Sequence, residues 1–408
     1  MNALLHVRKS DTYRPVPFNV SVSKALIEEA RVKARLYRPS LDLKDDVNKD
    51  WLEGTPRAEM TELAAHWAED YDWFKVQDEI NANFSHYALT VSAGPKYNHS
   101  IPLHFVHERS SNDGAIPILL LHGWPSSHLE WSQVIRPLVS PKDPRDQHFH
   151  VIAPDLPGYG FSPAPAYSGL SPSEMGFAFD NLMHALGYKK YGIVTTDLGW
   201  LVGMWMADVV SDSLVGHMTD FWIQQPNATD LERRAQNNTT PEETAYIDTN
   251  QAWFSRHSGY SDVQSKNPLT LAQAMTDSPV GYAGWIWHLI HVASDGFEYT
   301  LDEVITRTLM LWIQGTYGNL RSYRELFTSE AFNFPQTTVP TGCSQWSNAG
   351  GPFKDLASFQ LVPRSWVERL VNLVYFTRHD SGGHFPAEKR PEAWLKDVRK
   401  FFSRLAGN

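Results

Sequence analysis

Five short apolar runs constrain this chain more than any other feature. They are "IPILLL" (116–121), "HFHVIAP" (148–154), "YGIV" (191–194), "HMTDFWI" (217–223) and "VNLVYF" (371–376). Each has the length of a strand. None shows the strict alternation of a strand with one wet face, so both faces are expected to be covered, as in a parallel sheet. Helical stretches separate the runs. "SPSEMGFAFDNLMHALG" is the best marked: Ser171 and Glu174 read as a capping box, Pro172 takes the first position and Gly187 stops the helix. Strands alternating with helices predict an α/β class with a mostly parallel central sheet.

The alternation breaks between 229 and 330. This stretch is helix-like and carries Trp253, Tyr260, Trp285, Trp287, Trp312 and Tyr323, which reads as a helical cap inserted after the "HMTDFWI" strand. The core therefore spans 101–228 and 331–408 and closes on the amphipathic helix "EAWLKDVRKFFSRL". Residues 1–100 form an extension. In it "SKALIEEARVKARLYRP" puts Leu26, Ala30 and Ala34 on one helical face. "TPRAEMTELAAHWAEDYDWF" starts with Thr55 as N-cap and Pro56 as first residue, and builds a stripe of Met60, Leu63, Ala64, Trp67 and Tyr71. "YALTV" and "IPLHFVH" read as an antiparallel pair.

Composition removes several functional classes. The 408 residues are 42% hydrophobic, enough for a large core, and carry a net charge of −10. No basic stripe offers itself to nucleic acid. Cys343 is the single cysteine, so no intramolecular disulfide forms and a reducing compartment fits. The N-terminal "MNALLHVRKSDTYRP" lacks an apolar h-region, and no run of about 18 apolar residues exists to span a membrane. The N-x-S/T triplets at Asn19 and Asn227 are read as chance. A cytoplasmic location is expected.

Ligands of parallel α/β sheets bind at the carboxyl ends of the strands, and four chemically unusual stretches fall there. "HGWP" (122–125) ends "ILLL", "DLPGYGFS" (155–162) ends "VIAP", Asp197 ends "IVTT", and "HDSGGHF" (379–385) ends "VYF". Asp197 alone could be a helix N-cap. At a strand-to-helix elbow, where many hydrolases hold a Ser, it is also a competent nucleophile. The ester it forms must be cleaved by water, which needs a base, and His384 after two glycines is the candidate. His379 and His288 are read as structural. The backbone amides of Trp124 and Leu198 would supply an oxyanion hole.

With these stretches in place, the chain resembles the epoxide hydrolases of the α/β-hydrolase superfamily, in their microsomal-type and fungal branch with an N-terminal meander wrapping the core. The resemblance spans nearly the whole chain and is carried by "PFNVSVSKALIEEARVKARLYRP", "HWAEDYDWFKVQDEIN", "LHGWPSSHLEW", "DLPGYGFSPAP", "TDSPVGYAGWI", "RSYRE", "VPTGC" and "GGHF". It implies an α/β-hydrolase fold and hydrolysis of an epoxide to a vicinal diol through an Asp alkyl ester, in detoxification or secondary metabolism. It implies that Tyr260 and Tyr323 hold and protonate the epoxide oxygen, with Tyr317 ranked below Tyr323. It places the acid that orients His384 after the strand that follows the cap, and there Asp355 is the one acidic residue between "VPTGC" and Pro363.

Trp285, Trp222 and Phe385 are expected at the substrate, an apolar or aromatic epoxide. No metal and no organic cofactor is called for, and a homodimer is the assembly entertained. Two features depart from the family pattern: Thr195 stands where the elbow often has Gly, and the segment before His384 is longer than usual. Among rivals, a haloalkane dehalogenase would want a Trp after the nucleophile, where this chain has Leu198. A Ser esterase lacks its Ser. A natural-product enzyme that opens or cyclises an epoxide would use the same scaffold, and an inactive binding protein would have no use for Asp197, His384 and both tyrosines.

Overall fold

The computed structural model describes residues 14–43 and 51–406; residues 1–13, read above for a leader, lie outside it. Nine strands make one sheet: β1 (Val16–Pro17), β2 (His86–Ser92), β3 (Ser100–Glu108), β4 (Ile116–Leu121), β5 (Phe149–Pro154), β6 (Tyr191–Thr195), β7 (Leu214–Thr219), β8 (Thr337–Trp346) and β9 (Val371–His379). Their order is β1-β2-β3-β5-β4-β6-β7-β8-β9. Pairing is parallel from β5 to β9 and antiparallel among β1, β2, β3 and β5. This is the α/β-hydrolase architecture.

The uninterrupted apolar runs have the predicted cause. In β4, Ile118 and Leu120 belong to a cluster with Trp131, Trp394, Phe401 and Phe402, whereas Leu119 and Leu121 belong to a second with Met175, Leu182, Trp200 and Leu201. The two sets alternate along one strand, so the sheet is covered on both faces. The final helix, Pro391–Ala406, supplies the first cover. The helices Pro172–Ala185 and Asp197–Val209 supply the second.

Three details of the sequence reading are corrected. The boundary at residue 100 cuts a hairpin: β2 pairs with β3 along its whole length, so the extension contributes strands to the core sheet as well as helices around it. Thr55 does not cap its helix. Its hydroxyl donates to the Gly284 carbonyl, and the helix Arg57–Glu69 starts one residue later, with Asp42 accepting from the Arg57 N–H. The capping box at Ser171 is half formed. Ser171 Oγ accepts from the Glu174 N–H, but the Glu174 carboxylate turns to the Lys96 N–H.

The cap runs through seven α-helices from Ala228 to Leu326. The extension is tied to it: Lys33 Nζ donates to the Asp277 carbonyl, and Tyr71 bonds Thr306. Among the described residues no helix is long and apolar enough to cross a membrane.

Candidate active site

The strand-to-helix elbow fixes the first group. β6 ends at Thr195, the next helix begins at Asp197, and Asp197 has φ 45°. A non-glycine residue rarely takes that conformation, and it costs free energy that the surroundings must offset. They do so with hydrogen bonds. Asp197 Oδ1 accepts from the Trp124 N–H at 2.8 Å, and the Leu198 N–H also bonds the carboxylate. Gly123 admits this approach, because a Cβ there would collide with Asp197. Thr195, the larger residue at the elbow, is accommodated by a bare helix opposite it. A Cβ at Gly203 would come 2.7 Å from Thr195 Cγ2. The Thr195 hydroxyl pairs with His217 Nε2 at 2.7 Å.

The second group comes from the loop after β9. Gly383 N–H donates to Ser347 O and His384 N–H to Ala293 O, while Gly382 N–H donates to the Asp295 carboxylate. Asp295 also accepts from the Gly350 N–H at 2.6 Å. Core loop and cap are thus stapled together at the base. His384 Nε2 then lies 3.6 Å from Asp197 Oδ2, facing it without a tight bond.

The cap brings the third group. Tyr323 donates to Tyr260 Oη at 3.4 Å. The Trp124 ring stacks on Tyr260 at 5.4 Å and meets Tyr323 edge-on at 5.9 Å. Asn319 steadies Trp124 in turn by accepting from its indole N–H. Tyr317, ranked below Tyr323, is exposed and does not line the cavity. Asp197, His384, Tyr260 and Tyr323 line one cavity, with Pro125, Phe221, Ile223, Trp253, Leu289, Phe359 and Phe385 among its walls.

Burial sets the charges. Desolvation pushes Asp197 up to about 6 against the pull of its two N–H donors. Desolvation, helped by the Arg307 guanidinium, pushes His384 down to about 4. Both phenols are driven up by burial. Near neutral pH the cavity therefore holds a carboxylate, a neutral imidazole and two neutral O–H donors.

Not every expected residue is here. Phe385 lines the cavity, but Trp222 and Trp285 do not. Phe221 and Ile223 face the cavity, and Trp222 between them points the other way, into Trp200 at 5.2 Å. Trp285 donates to Gln264 and faces an outer groove, which shares Tyr260 and Leu289 with the cavity.

Asp355 does not reach His384. It sits in the turn Lys354–Leu356, where its carboxylate pairs with Arg256 and lies 3.6 Å from His257. The group on His384 Nδ1 is the side-chain amide of Gln360, at 2.7 Å. The extra length before "PRSW" accounts for the exchange: the chain turns at Asp355 and comes back five residues later, anchored by Phe359 stacked on Trp253 at 4.2 Å. Sequence reasoning had no signal for Gln360, Arg307 or Asp295, because none belongs to a motif.

Comparison with known proteins sets the chain beside epoxide hydrolases. A family model described as "Epoxide hydrolase N terminus" matches residues 15–131, and one for the α/β hydrolase fold matches 116–274. The chain is 28% identical to a juvenile hormone epoxide hydrolase of Manduca sexta, over 94% of this chain and 84% of that one. It is 27% identical to epoxide hydrolase 1 of Sus scrofa, over 95% and 88%. Among solved structures, the juvenile hormone epoxide hydrolase of Bombyx mori superimposes with TM-score 0.78 at 26% identity, covering 98% of this chain and 96% of that one. The Aspergillus niger epoxide hydrolase shares the fold with TM-score 0.79 at 24% identity, covering 97% and 98%.

Proposed function

We propose, from the premise that this chain belongs to the epoxide hydrolases of the α/β-hydrolase fold and converts an epoxide to a vicinal diol, that it does so through an ester on Asp197. One observation carries the reading: Asp197 is held by two N–H donors within the same cavity as a neutral imidazole and a pair of phenols.

Asp197 Oδ2 attacks one epoxide carbon from the face opposite the C–O bond that breaks. The departing oxygen takes a proton from the Tyr260–Tyr323 pair, which needs no charge of its own in a desolvated site. The ester carbonyl, now Cγ–Oδ1, remains in the grip of the Trp124 and Leu198 amides. Water then gives a proton to His384 Nε2 and adds to Cγ. The oxyanion on Oδ1 is stabilised by the same two amides, each such donor being worth about 3 kcal/mol in well-studied cases. Collapse releases the diol with Oδ2 in it, His384 returns its proton to the leaving oxygen, and the proton left on the new Asp197 carboxyl restores the phenol that had given one up.

The walls of Phe221, Ile223, Trp253, Leu289 and Phe359 support an apolar or aromatic substrate. A cytoplasmic homodimer remains the proposed state of the protein, and light scattering on the purified chain reads the oligomer. The mechanism is tested by one turnover in oxygen-18 water. Unlabelled diol and a labelled Asp197 are expected; labelled diol from the first turnover would mean direct attack by water.

A further inference from the structure

Orienting a catalytic imidazole requires a partner for the nitrogen that does not do chemistry. For His384 that nitrogen is Nδ1, since Nε2 faces Asp197. Four carboxylates of the surrounding segments have partners of their own. Asp355 pairs with Arg256 and His257. Asp295 is taken up by the Gly382 and Gly350 amides. Asp220 accepts from the Trp394 indole at 2.6 Å, and Glu388 is held by Arg307. What remains on Nδ1 is Gln360, a neutral side chain that is 7% exposed.

We propose that Gln360 is the positioning residue of His384, so that the ester-hydrolysis step runs on a histidine–amide pair rather than on a histidine–carboxylate pair.

The inference rests on the ester mechanism above but deepens it at a residue of this chain. Its chemistry can be worked through. For Nε2 to accept a proton from water, Nδ1 must carry one, and Nδ1–H needs an acceptor. Gln360 has one: its Oε1 is buried without a partner among the described residues, while Nε2 sits on Nδ1. A half-turn of the amide about its last bond exchanges the two atoms and places Oε1 on Nδ1–H. The amide so placed fixes the tautomer and the ring direction. Being neutral, it gives the imidazolium no opposite charge when His384 takes the proton. The charged groups facing the ring are then Asp197 at Nε2, neutralised in the ester, and Arg307 with its partner Glu388 behind Phe385. Ester hydrolysis is accordingly the slow step, and Asp197 is expected to be largely esterified during turnover.

Two measurements on the full chain separate this proposal from the mechanism beneath it. Nitrogen-15 NMR of histidine-labelled protein needs no substrate. The wild type should show the Nδ1–H tautomer at His384, Gln360→Leu should lose it to a mixture, and Gln360→Glu should keep it while raising the pH at which His384 titrates. An unchanged tautomer in Gln360→Leu, or a dominant Nε2–H tautomer in the wild type, would overturn the proposal. Pre-steady-state kinetics with styrene oxide follow the ester by intact-protein mass. Gln360→Leu should leave ester formation intact and slow its hydrolysis by roughly 10²-fold, whereas Gln360→Glu should speed hydrolysis above wild type. If Asp355→Asn slows hydrolysis and Gln360→Leu does not, Gln360 is a packing residue and the proposal fails. Diol production with no ester in any variant, alongside the predicted tautomers, would instead refute the ester mechanism and leave the Gln360 contact standing.

Discussion

A catalytic carboxylate held in a dry pocket should destabilise the protein that carries it, and Asp197 allows the cost to be measured. Its folded value lies near 6, above the ordinary 3.8, because burial penalises the charge more than the Trp124 and Leu198 amides repay. The folded chain thus holds this proton more tightly than the unfolded chain. On account of this group, stability is greatest below about pH 4, declines as the pH rises from 3.8 to about 6, and stays low above that. At about 1.4 kcal/mol per pH unit the full penalty is on the order of 3 kcal/mol. Asp197→Asn keeps an oxygen for the two amides and removes the charge. For a chain of this length the unfolding entropy is roughly 0.9 kcal/mol/K, which converts the gain to a Tm rise of about 3 °C near pH 7.5. Paired melts of wild type and variant by differential scanning calorimetry, at about pH 7.5 and about pH 4.5, give the difference directly. Asp220, which burial pushes up to about 7, titrates in both proteins and cancels in the comparison. A variant no more stable than wild type at the higher pH would refute the argument, as would an equal gain at both pH values.

The same charge sets the pH dependence of ester formation: its rate should fall as the pH drops through about 6, when Asp197 protonates, and a rate flat down to about pH 4.5 would remove Asp197 from the step. His384→Ala should still form the ester and fail to cleave it, so the protein mass rises by that of the epoxide and stays there. Tyr260→Phe or Tyr323→Phe should slow ester formation modestly, and the double variant by roughly 10²–10⁴-fold; an active double variant would reduce both phenols to packing. Gly203→Ala should cost about 1–3 kcal/mol by pressing on Thr195, and adding Thr195→Ser, which deletes Cγ2 but keeps the hydroxyl near His217, should recover part of it in chemical denaturation.

What the sequence made legible follows a physical line. Continuous apolar runs such as "IPILLL" report burial on both faces, and β4 is covered on both. Groups carried at strand ends, Asp197 and His384, are positioned by the sheet itself, so a motif locates them. Trp222 and Trp285 were misjudged because aromatic character says nothing about direction: the facing residue of 221–223 is decided by one step of backbone alternation. Asp355 failed for a related reason. Counting acids in a loop assumes that the loop takes a fixed path, and three-dimensional closure delivered Gln360 instead. The polar clamps, Asp295 on Gly382 and Asn319 on Trp124, join segments far apart in sequence and leave no local trace.

The staple between cap and base loop has a consequence for traffic and for redesign. His384 is fastened to Ala293 by a backbone hydrogen bond, and the Gly382 amide to Asp295, both at the end of a cap helix. Hinging the cap open to admit an epoxide would drag the base from Asp197 along with the two phenols. A groove beside Tyr260 and Leu289 shares both residues with the cavity, and entry from that side would leave the roof shut. Anyone transplanting a cap from a relative to change substrate scope would have to move the 293–296 and 348–350 segments as one cassette with it. A cap grafted without them would arrive with its proton donors in place and leave the histidine unmoored.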